Sequence, residues 1–416
     1  MTISAKTFTA LSELSNNYIN ILEEMEDENK NVRDLCYTSN IGREHFNDYR
    51  ISVYGKNATE LCNELENALD DYEEKMENEA EQKRHENSSQ KPTQLINIYI
   101  ENLKNSAINN PLFNQLLLEL YITRPEFKNA MNYCDNIISE ITNKQYSLVS
   151  DILSHQENDK DKKDDSLKYQ NMILASFYYG LAKTLTKEMD DTTPINVGVG
   201  LLGELISIVV NGGMSLRKLM KLLKLIQDQN ENETTIKEWY QLKDKKEQKL
   251  KGNVYSVSQQ REFKSGEVIP EEYYITLLQN KAITINEEAL DKSMESIMDQ
   301  YAKKCKSISV FNEDLSKDDE MKEKLLEIIQ EKEYDQLSED YIISFFNMND
   351  KKCKDQQQCV KKILPKYLSS MYNIGHDIHW NVFHQRINNN NLQKYSVHKI
   401  ILPNYPFQRS TYWPKN

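Results

Sequence analysis

The sequence predicts a helix-rich α/β fold, and three features carry that prediction. The most apolar stretch, Ile195–Val210, opens with Ile195-Asn196-Val197-Gly198-Val199-Gly200 and continues with little charge. That is the pattern of a short strand, a glycine-rich turn and a buried helix. Tyr49-Arg50-Ile51-Ser52-Val53-Tyr54-Gly55 alternates β-rich residues and closes on glycine, as a strand does, between two helical patterns. Only 11 Gly and 9 Pro in 416 residues disfavour a turn-dense all-β architecture.

The elements follow in order. Phe8, Leu11, Leu14, Tyr18, Ile21 and Leu22 recur at three and four residues, which predicts an amphipathic helix over 3–26. Residues 34–46 read as a turn-rich connector before the Tyr49 strand, and 57–80 as a helix. Residues 81–92 are polar and end in proline, a linker signal. Leu95–Ile100 is a short apolar strand, 111–142 and 166–188 are helices, and the charged run 156–165 between them is a solvated loop. Residues 215–226 form an amphipathic helix with Ser215 as its N-cap. Residues 228–252 are highly charged, 283–370 are helix-rich and polar, and the last 40 or so look extended.

At about 100–200 residues per domain, the length allows two or three. With 65 acidic against 52 basic residues the net charge is −13. So acidic a chain lacks the basic face that nucleic acid or an anionic membrane surface requires. No run approaches the roughly 18 apolar residues of a membrane-spanning helix, and Met1–Lys6 begins no apolar leader region. The six cysteines, Cys36, Cys62, Cys134, Cys305, Cys353 and Cys359, form no C-x-x-C pair and read as free thiols. These features together place the chain in the cytoplasm.

The ends of the chain carry specific motifs. Leu402-Pro403-Asn404-Tyr405-Pro406-Phe407-Gln408-Arg409-Ser410-Thr411-Tyr412-Trp413 resembles the LPxYPFQRxxYW segment that follows the acyltransferase of modular polyketide synthases. Upstream, Gly375 to Trp380 is similar to the G-x-x-x-x-W stretch of the same linker. Near the N-terminus, Cys36-Tyr37 through Arg43-Glu44-His45-Phe46, with Tyr49-Arg50-Ile51, resembles the linker between ketosynthase and acyltransferase. In the middle, Leu118–Tyr121 with Arg124-Pro125-Glu126-Phe127, then Leu202-Gly203-Glu204 and Ser265-Gly266-Glu267, are similar to acyltransferase segments in the expected order.

The resemblance implies three parts: a linker domain over 1–90, a degenerate acyltransferase-like domain over 91–365, and a post-acyltransferase linker over 366–416 that wraps back on the first. It implies a reduced hydrolase core of the malonyl-CoA:ACP transacylase kind, lacking most of the ferredoxin-like subdomain, because the step from Gly203 to Ser265 is short for the family. It also implies a C-terminal strand near Lys399–Leu402 closing the linker sheet.

The departures from the family decide the expected activity. A working member carries its nucleophile in G-H-S-x-G-E, on a sharp strand–helix turn. The aligned stretch here is Val199-Gly200-Leu201-Leu202-Gly203-Glu204. Leu201 takes the serine's place and Gly200 the preceding histidine's, while Gly203 and Glu204 are retained. A leucine has no lone pair with which to attack. None of the seven histidines falls between Leu201 and Gly266, where the family keeps its general base. The G-Q-G-S-Q loop aligns with Glu101–Ser106, and no substrate-gripping arginine motif is found.

Other constellations have plainer readings beside the functional ones. Ser215 is a helix cap or a relocated nucleophile. His376, His379 and His384 are a linker segment or, if helical, metal ligands sharing a face. Gly198, Gly200 and Gly203 are a remnant of the nucleophile turn or a phosphate loop without its Lys-Ser/Thr. Tyr405, Phe407, Tyr412 and Trp413 pack onto the linker or offer a peptide-binding face. The resemblance therefore implies a non-catalytic scaffold without cofactor or metal. Its expected partners are the adjacent ketosynthase, a trans-acting acyltransferase and an acyl carrier protein. The alternative is an acyl-thioester transferase or hydrolase with a rebuilt site. Expected structural residues are Tyr37, Arg43, His45, Phe46, Tyr49, Arg50, Trp380, Pro403, Tyr405, Pro406, Phe407, Gln408, Arg409, Tyr412 and Trp413.

Overall fold

The computed structural model describes residues 1–25, 29–82, 94–101, 110–154, 169–189, 194–228, 233–241, 248–279, 287–302, 305–312, 318–332, 341–345, 356–384 and 397–408. The chain is helix-rich α/β and divides into two compact units, one formed by Met1–Gln90 with Leu364–Asn416, the other by Lys91–Ile363.

The first unit opens with a strand, β1 (Thr2–Ala5), where the sequence predicts the start of a helix. It pairs antiparallel with β2 (Tyr49–Ser52), Ile3 lying opposite Ile51. Both faces of β1 are buried, and their polar groups are answered. The Thr2 hydroxyl donates to the Asn40 side chain, and Ser4 Oγ accepts the Phe46 amide at 2.9 Å. Helix α1 (Phe8–Glu24) starts only after Thr7, whose side chain accepts from the Ala10 amide.

Helix α2 (Asn29–Ile41) occupies most of the predicted connector. Thr38 and Ser39 read as turn formers, but their hydroxyls donate back to the Asp34 and Cys36 carbonyls, which lets them sit within a helix. Helix α3 (Ala58–Gln82) packs Leu61 and Leu65 with Leu11, Tyr18, Leu22, Leu35 and Ile51 in one apolar core. Burying each such side chain contributes about 1.5–3 kcal/mol.

The second unit is built on a six-stranded mixed sheet, which fits a hydrolase-like α/β core. Its strands are β3 (Gln94–Ile100), β4 (Ile195–Val199), β5 (Val254–Ser256), β6 (Arg261–Phe263), β7 (Cys305–Asn312) and β8 (Ile342–Ser344), in the order β6-β5-β4-β3-β7-β8. Only β6 runs antiparallel to its neighbour. The predicted helical segment 111–142 is two helices, α4 (Pro111–Thr123) and α5 (Pro125–Ile141). The break falls at Arg124, because the residue before a proline is driven out of helical geometry. Arg124 is buried and pairs with buried Glu188 at 3.0 Å.

Helix α6 (Leu148–Ser154) and helix α7 (Gln170–Glu188) follow. Then come α8 (Gly200–Val210), α9 (Leu216–Gln227) and α10 (Glu233–Gln241). Ser215 caps α9, its Oγ accepting the Lys218 amide at 3.2 Å. Beyond β6 lie α11 (Glu271–Gln279), α12 (Glu287–Tyr301) and α13 (Asp318–Glu331). Strands β7 and β8 interrupt the stretch predicted as helix-rich. One sheet face presents Ile96, Ile98, Ile100, Val197 and Ile308 to Met294 and Ile297 of α12 and Leu325 of α13. On β3 the alternate residue Tyr99 stacks on Phe311 at 5.2 Å and meets Tyr178 of α7 edge-on. Among the described residues of 204–265 there is no second sheet.

Helix α14 (Gln356–Asn373) and the short α15 (Trp380–Phe383) lead to the C-terminal segment. The predicted strand near Lys399–Leu402 does not form. His398 and Ile400 instead donate their amides to the side chains of Asp34 and Thr38 on α2, and Leu402 enters the core of the first unit. Anchoring through side chains of a helix leaves no backbone ladder, so the sheet remains two-stranded. Cys36, Cys62, Cys134 and Cys305 are free, whereas Cys359 is disulfide-bonded, against the expectation of six free thiols. A disulfide needs two Cα atoms within about 7 Å, which the metal-ligand spacing weighed in the sequence does not test.

Candidate functional site

In open sheets of this kind ligands bind beyond the carboxyl ends of the parallel strands. Three elements meet there: the end of β3, the turn from β4 into α8, and the loop after β5. The β4–α8 turn is sharp. Gly200 takes a left-handed φ of +84°, which glycine adopts without steric cost. The left-handed position is therefore Gly200, one residue before Leu201. Leu201 is half-buried and brings only hydrocarbon. Gly203 allows the helix to close on the sheet, since a Cβ there would lie 2.4 Å from the Tyr99 carbonyl oxygen. Gly198 plays the same part from β4, its Cβ position falling 2.3 Å from the Glu204 backbone.

The first amides of a helix lack intrahelical partners and carry a partial positive charge. Glu101, just past β3, supplies the anion. Its carboxylate accepts from the Leu202 amide at 2.7 Å and from the Leu201 amide, while its own amide donates to the Val199 carbonyl. Burial raises the Glu101 pKa, and the two amides pull it back down. Sequence reasoning placed Glu101 only as the start of a lost loop.

Glu204 is buried in α8 and points to the loop after β5. Oε2 accepts from Ser256 Oγ at 2.8 Å and from the Tyr273 hydroxyl of α11, and Oε1 from the Ser258 amide at 2.8 Å. Burial raises its pKa against these donors. Glu204 thus ties α8, the β5 loop and α11 together. No described histidine lies in this unit; His155 falls outside the described residues, as does His85 of the first unit's range.

The motif residues of the two chain ends converge within the first unit. Arg50, on β2 and 3% exposed, is the centre. Its guanidinium donates to the Phe46 carbonyl at 2.6 Å, the His376 carbonyl at 3.1 Å, the Asn47 side chain and Asp377 Oδ1 at 2.6 Å. It also lies over the Tyr372 ring, 4.7 Å from the centroid. His45 Nε2 faces the Asn40 carbonyl at 2.8 Å, which can only accept, so that nitrogen carries the proton. Nδ1 therefore accepts from the Tyr372 hydroxyl at 2.6 Å. Burial, with Arg50 nearby, lowers the His45 pKa, and burial pushes the Tyr372 phenol up to about 12.

Around this centre, Arg43 donates to the Pro403 carbonyl at 2.8 Å. Phe46 meets Tyr405, whose hydroxyl accepts the Lys6 amide, and Tyr49 packs beside Phe8 and Tyr72. Tyr37 meets His384 edge-on, and buried Trp380 lies against Tyr372 and Phe383. Pro406 is half-buried, while Phe407 is 81% exposed and Gln408 exposed. Arg409, Tyr412 and Trp413 lie outside the described residues. His376 is buried ahead of α15 and exposed His379 stands at its N-cap position without a side-chain capping bond, so the helical premise of a shared metal face does not hold. The three histidines form no metal-binding group among the described residues.

The family model described as CurL-like, PKS C-terminal matches residues 1–65. No curated protein matches the chain. The matched segment contains Tyr37, Arg43, His45, Phe46, Tyr49 and Arg50, and it supports a polyketide-synthase-associated region.

Proposed function

We propose that this chain is a non-catalytic scaffold of a modular polyketide synthase, working in the cytoplasm. In this reading it docks a trans-acting acyltransferase, or positions the adjacent ketosynthase and an acyl carrier protein, and it needs no cofactor. The observation that carries the reading is the filled β4–α8 turn. Gly200 and Leu201 offer no hydroxyl there, and Glu101 already occupies the amides of Leu201 and Leu202 that would stabilise an acyl oxyanion. The interlocking of the motif residues within the first unit, together with this filled turn in the second, supports retention for architecture rather than chemistry. Among the described residues no helix is long and apolar enough to cross a membrane, and the charge of −13 speaks against nucleic acid and anionic membranes as partners.

Two measurements test this. Intact-mass spectrometry after incubation with malonyl- or acetyl-CoA is expected to find no acyl adduct; an adduct overturns the non-catalytic reading. Calorimetry against the discrete acyltransferase, the ketosynthase and the carrier protein, at two salt concentrations, is expected to give a micromolar or tighter Kd, about −8 kcal/mol, for at least one. Absence of binding to all three overturns the docking role.

One arrangement favours the second reading, a rebuilt acyl-thioester hydrolase or transferase. Exposed Ser258 directs its amide and hydroxyl onto Glu204, a carboxylate made more basic by burial. Thioester hydrolysis lost on Ser258→Ala would establish it.

A further inference from the structure

We propose that the α1–α3 seam of the first unit is a site for a zinc-like divalent cation, ligated by Glu23, Cys62 and Glu66. Cys62 and Glu66 stand one turn apart on α3, the i,i+4 spacing that puts two ligands on one helix face. Glu23 comes from the last turn of α1, which packs against α3. One ligand atom from each residue lies within 4.8 Å of the others.

Two independent features point to a cation. The first is the pair of carboxylates brought together around one thiol. Among the described residues no hydrogen bond or ion pair reaches Glu23 or Glu66. The second is the thiol: Cys62 is 7% exposed, sits among apolar neighbours, has no hydrogen-bond partner among the described residues, and has its sulfur within 4.8 Å of an oxygen of each carboxylate. Sulfur buried in the core with oxygens at the surface makes a mixed donor set. All-oxygen ions such as Mg2+ and Ca2+ do not call for a thiolate, whereas Zn2+ and Co2+ accept one. Both glutamates are exposed, so terminal rotation brings their oxygens in to the roughly 2.0–2.2 Å of a zinc–carboxylate bond. Water completes a four-coordinate shell. Ligation replaces the Cys62 S–H bond with a sulfur–metal bond and releases one proton to solvent. The product is a cross-link between α1 and α3, independent of the functional reading above.

The test uses the purified full chain, stripped with chelator and titrated with Co2+ as a spectroscopic probe, then with Zn2+ in competition. The expected result is one Co2+ per chain, with a thiolate-to-cobalt charge-transfer band that Zn2+ displaces. Cys62→Ser should abolish the band and Cys36→Ser should leave it. Glu66→Gln and Glu23→Gln, surface changes that spare the fold, should each weaken affinity by about tenfold or more. A wild-type chain without the band overturns the site, as does unchanged affinity in both glutamine variants.

Discussion

Glu101 holds the amide of Leu202 at 2.7 Å, across the gap between the end of β3 and the start of α8. A helix start beside a sharp strand–helix turn is where an acyl-transfer enzyme places its oxyanion donors. Here that place is filled from within the chain. The carboxylate caps the helix, and the turn itself carries Gly200 and Leu201. On the proposed reading, installing one part of an acyl-transfer machinery here should therefore not create the reaction.

Leu201→Ser tests that expectation. The hydroxyl would arrive with no described histidine in Lys91–Ile363 to serve as its base, and Glu101 would still occupy the neighbouring amides. Intact-mass spectrometry after malonyl-CoA treatment should find an unmodified chain, both in this variant and combined with Glu101→Gln. Acylation at the substituted position would mean that a base has been overlooked.

The glycines of the turn should divide by packing. A Cβ on Gly203 meets the Tyr99 carbonyl at 2.4 Å, and that oxygen belongs to the central strand and has nowhere to move. Gly203→Ala should cost about 3 kcal/mol or more. At Gly266 nothing lies within 4 Å, and the cost comes only from its φ of +89°. Gly266→Ala should cost about 1–2 kcal/mol. Urea denaturation of the two variants gives the comparison directly, and equal losses would contradict the close approach of α8 to β3.

Much of the sheet's centre was readable because β3, β4 and α8 are apolar runs with clear punctuation. The Ser215 cap was readable for the same reason. Strands β5, β6 and β8 are three residues each, too short for any periodicity, and exist only because a neighbouring strand offers a ladder. Strand β1 was hidden because Ile3 lies in phase with the helical stripe that follows. Its strand state depends on Ser52 and Phe46, more than forty residues away. In the candidate site, Leu201 and Glu204 were found by motif. Glu101 was not, since its role is a through-space contact over a hundred residues. The linker motif named Arg50 and His45, but not Asp377 as the ion-pair partner.

Arg50 and Asp377 should prove unequal. Arg50 is buried, and removing it strands the Phe46 and His376 carbonyls as well as the ring contact with Tyr372. Arg50→Ala should destabilise the first unit by about 3 kcal/mol. The Asp377 side chain is 54% exposed, so solvent screens its half of the pair. Asp377→Asn should change stability by no more than about 1 kcal/mol. Chemical denaturation, followed by the tyrosine-rich unit's near-ultraviolet signal, distinguishes them; comparable losses would make the ion pair, rather than the backbone contacts, the main function of Arg50.

His45 should give the first unit a pH-dependent stability with a definite sign. In the unfolded chain its ring titrates near the ordinary value of 6.5; in the fold, burial holds it lower. Between those two values the unfolded state binds a proton that the folded state refuses. Stability therefore rises with pH in that window, and falls as the pH drops through 6.5 toward the folded value. Below the folded value the loss is complete. His45→Gln removes the titration while keeping the contacts, its amide donating to the Asn40 carbonyl and its oxygen accepting from Tyr372. The buried carboxyls of Glu101, Glu188 and Glu204, all raised by burial, act in the opposite direction, but equally in both proteins. The difference in unfolding free energy between wild type and variant, measured at about pH 7.5 and about pH 5.5, isolates the ring. The wild type should lose ground to the variant at the lower pH, and a difference that stays flat would place the His45 proton outside the folding equilibrium.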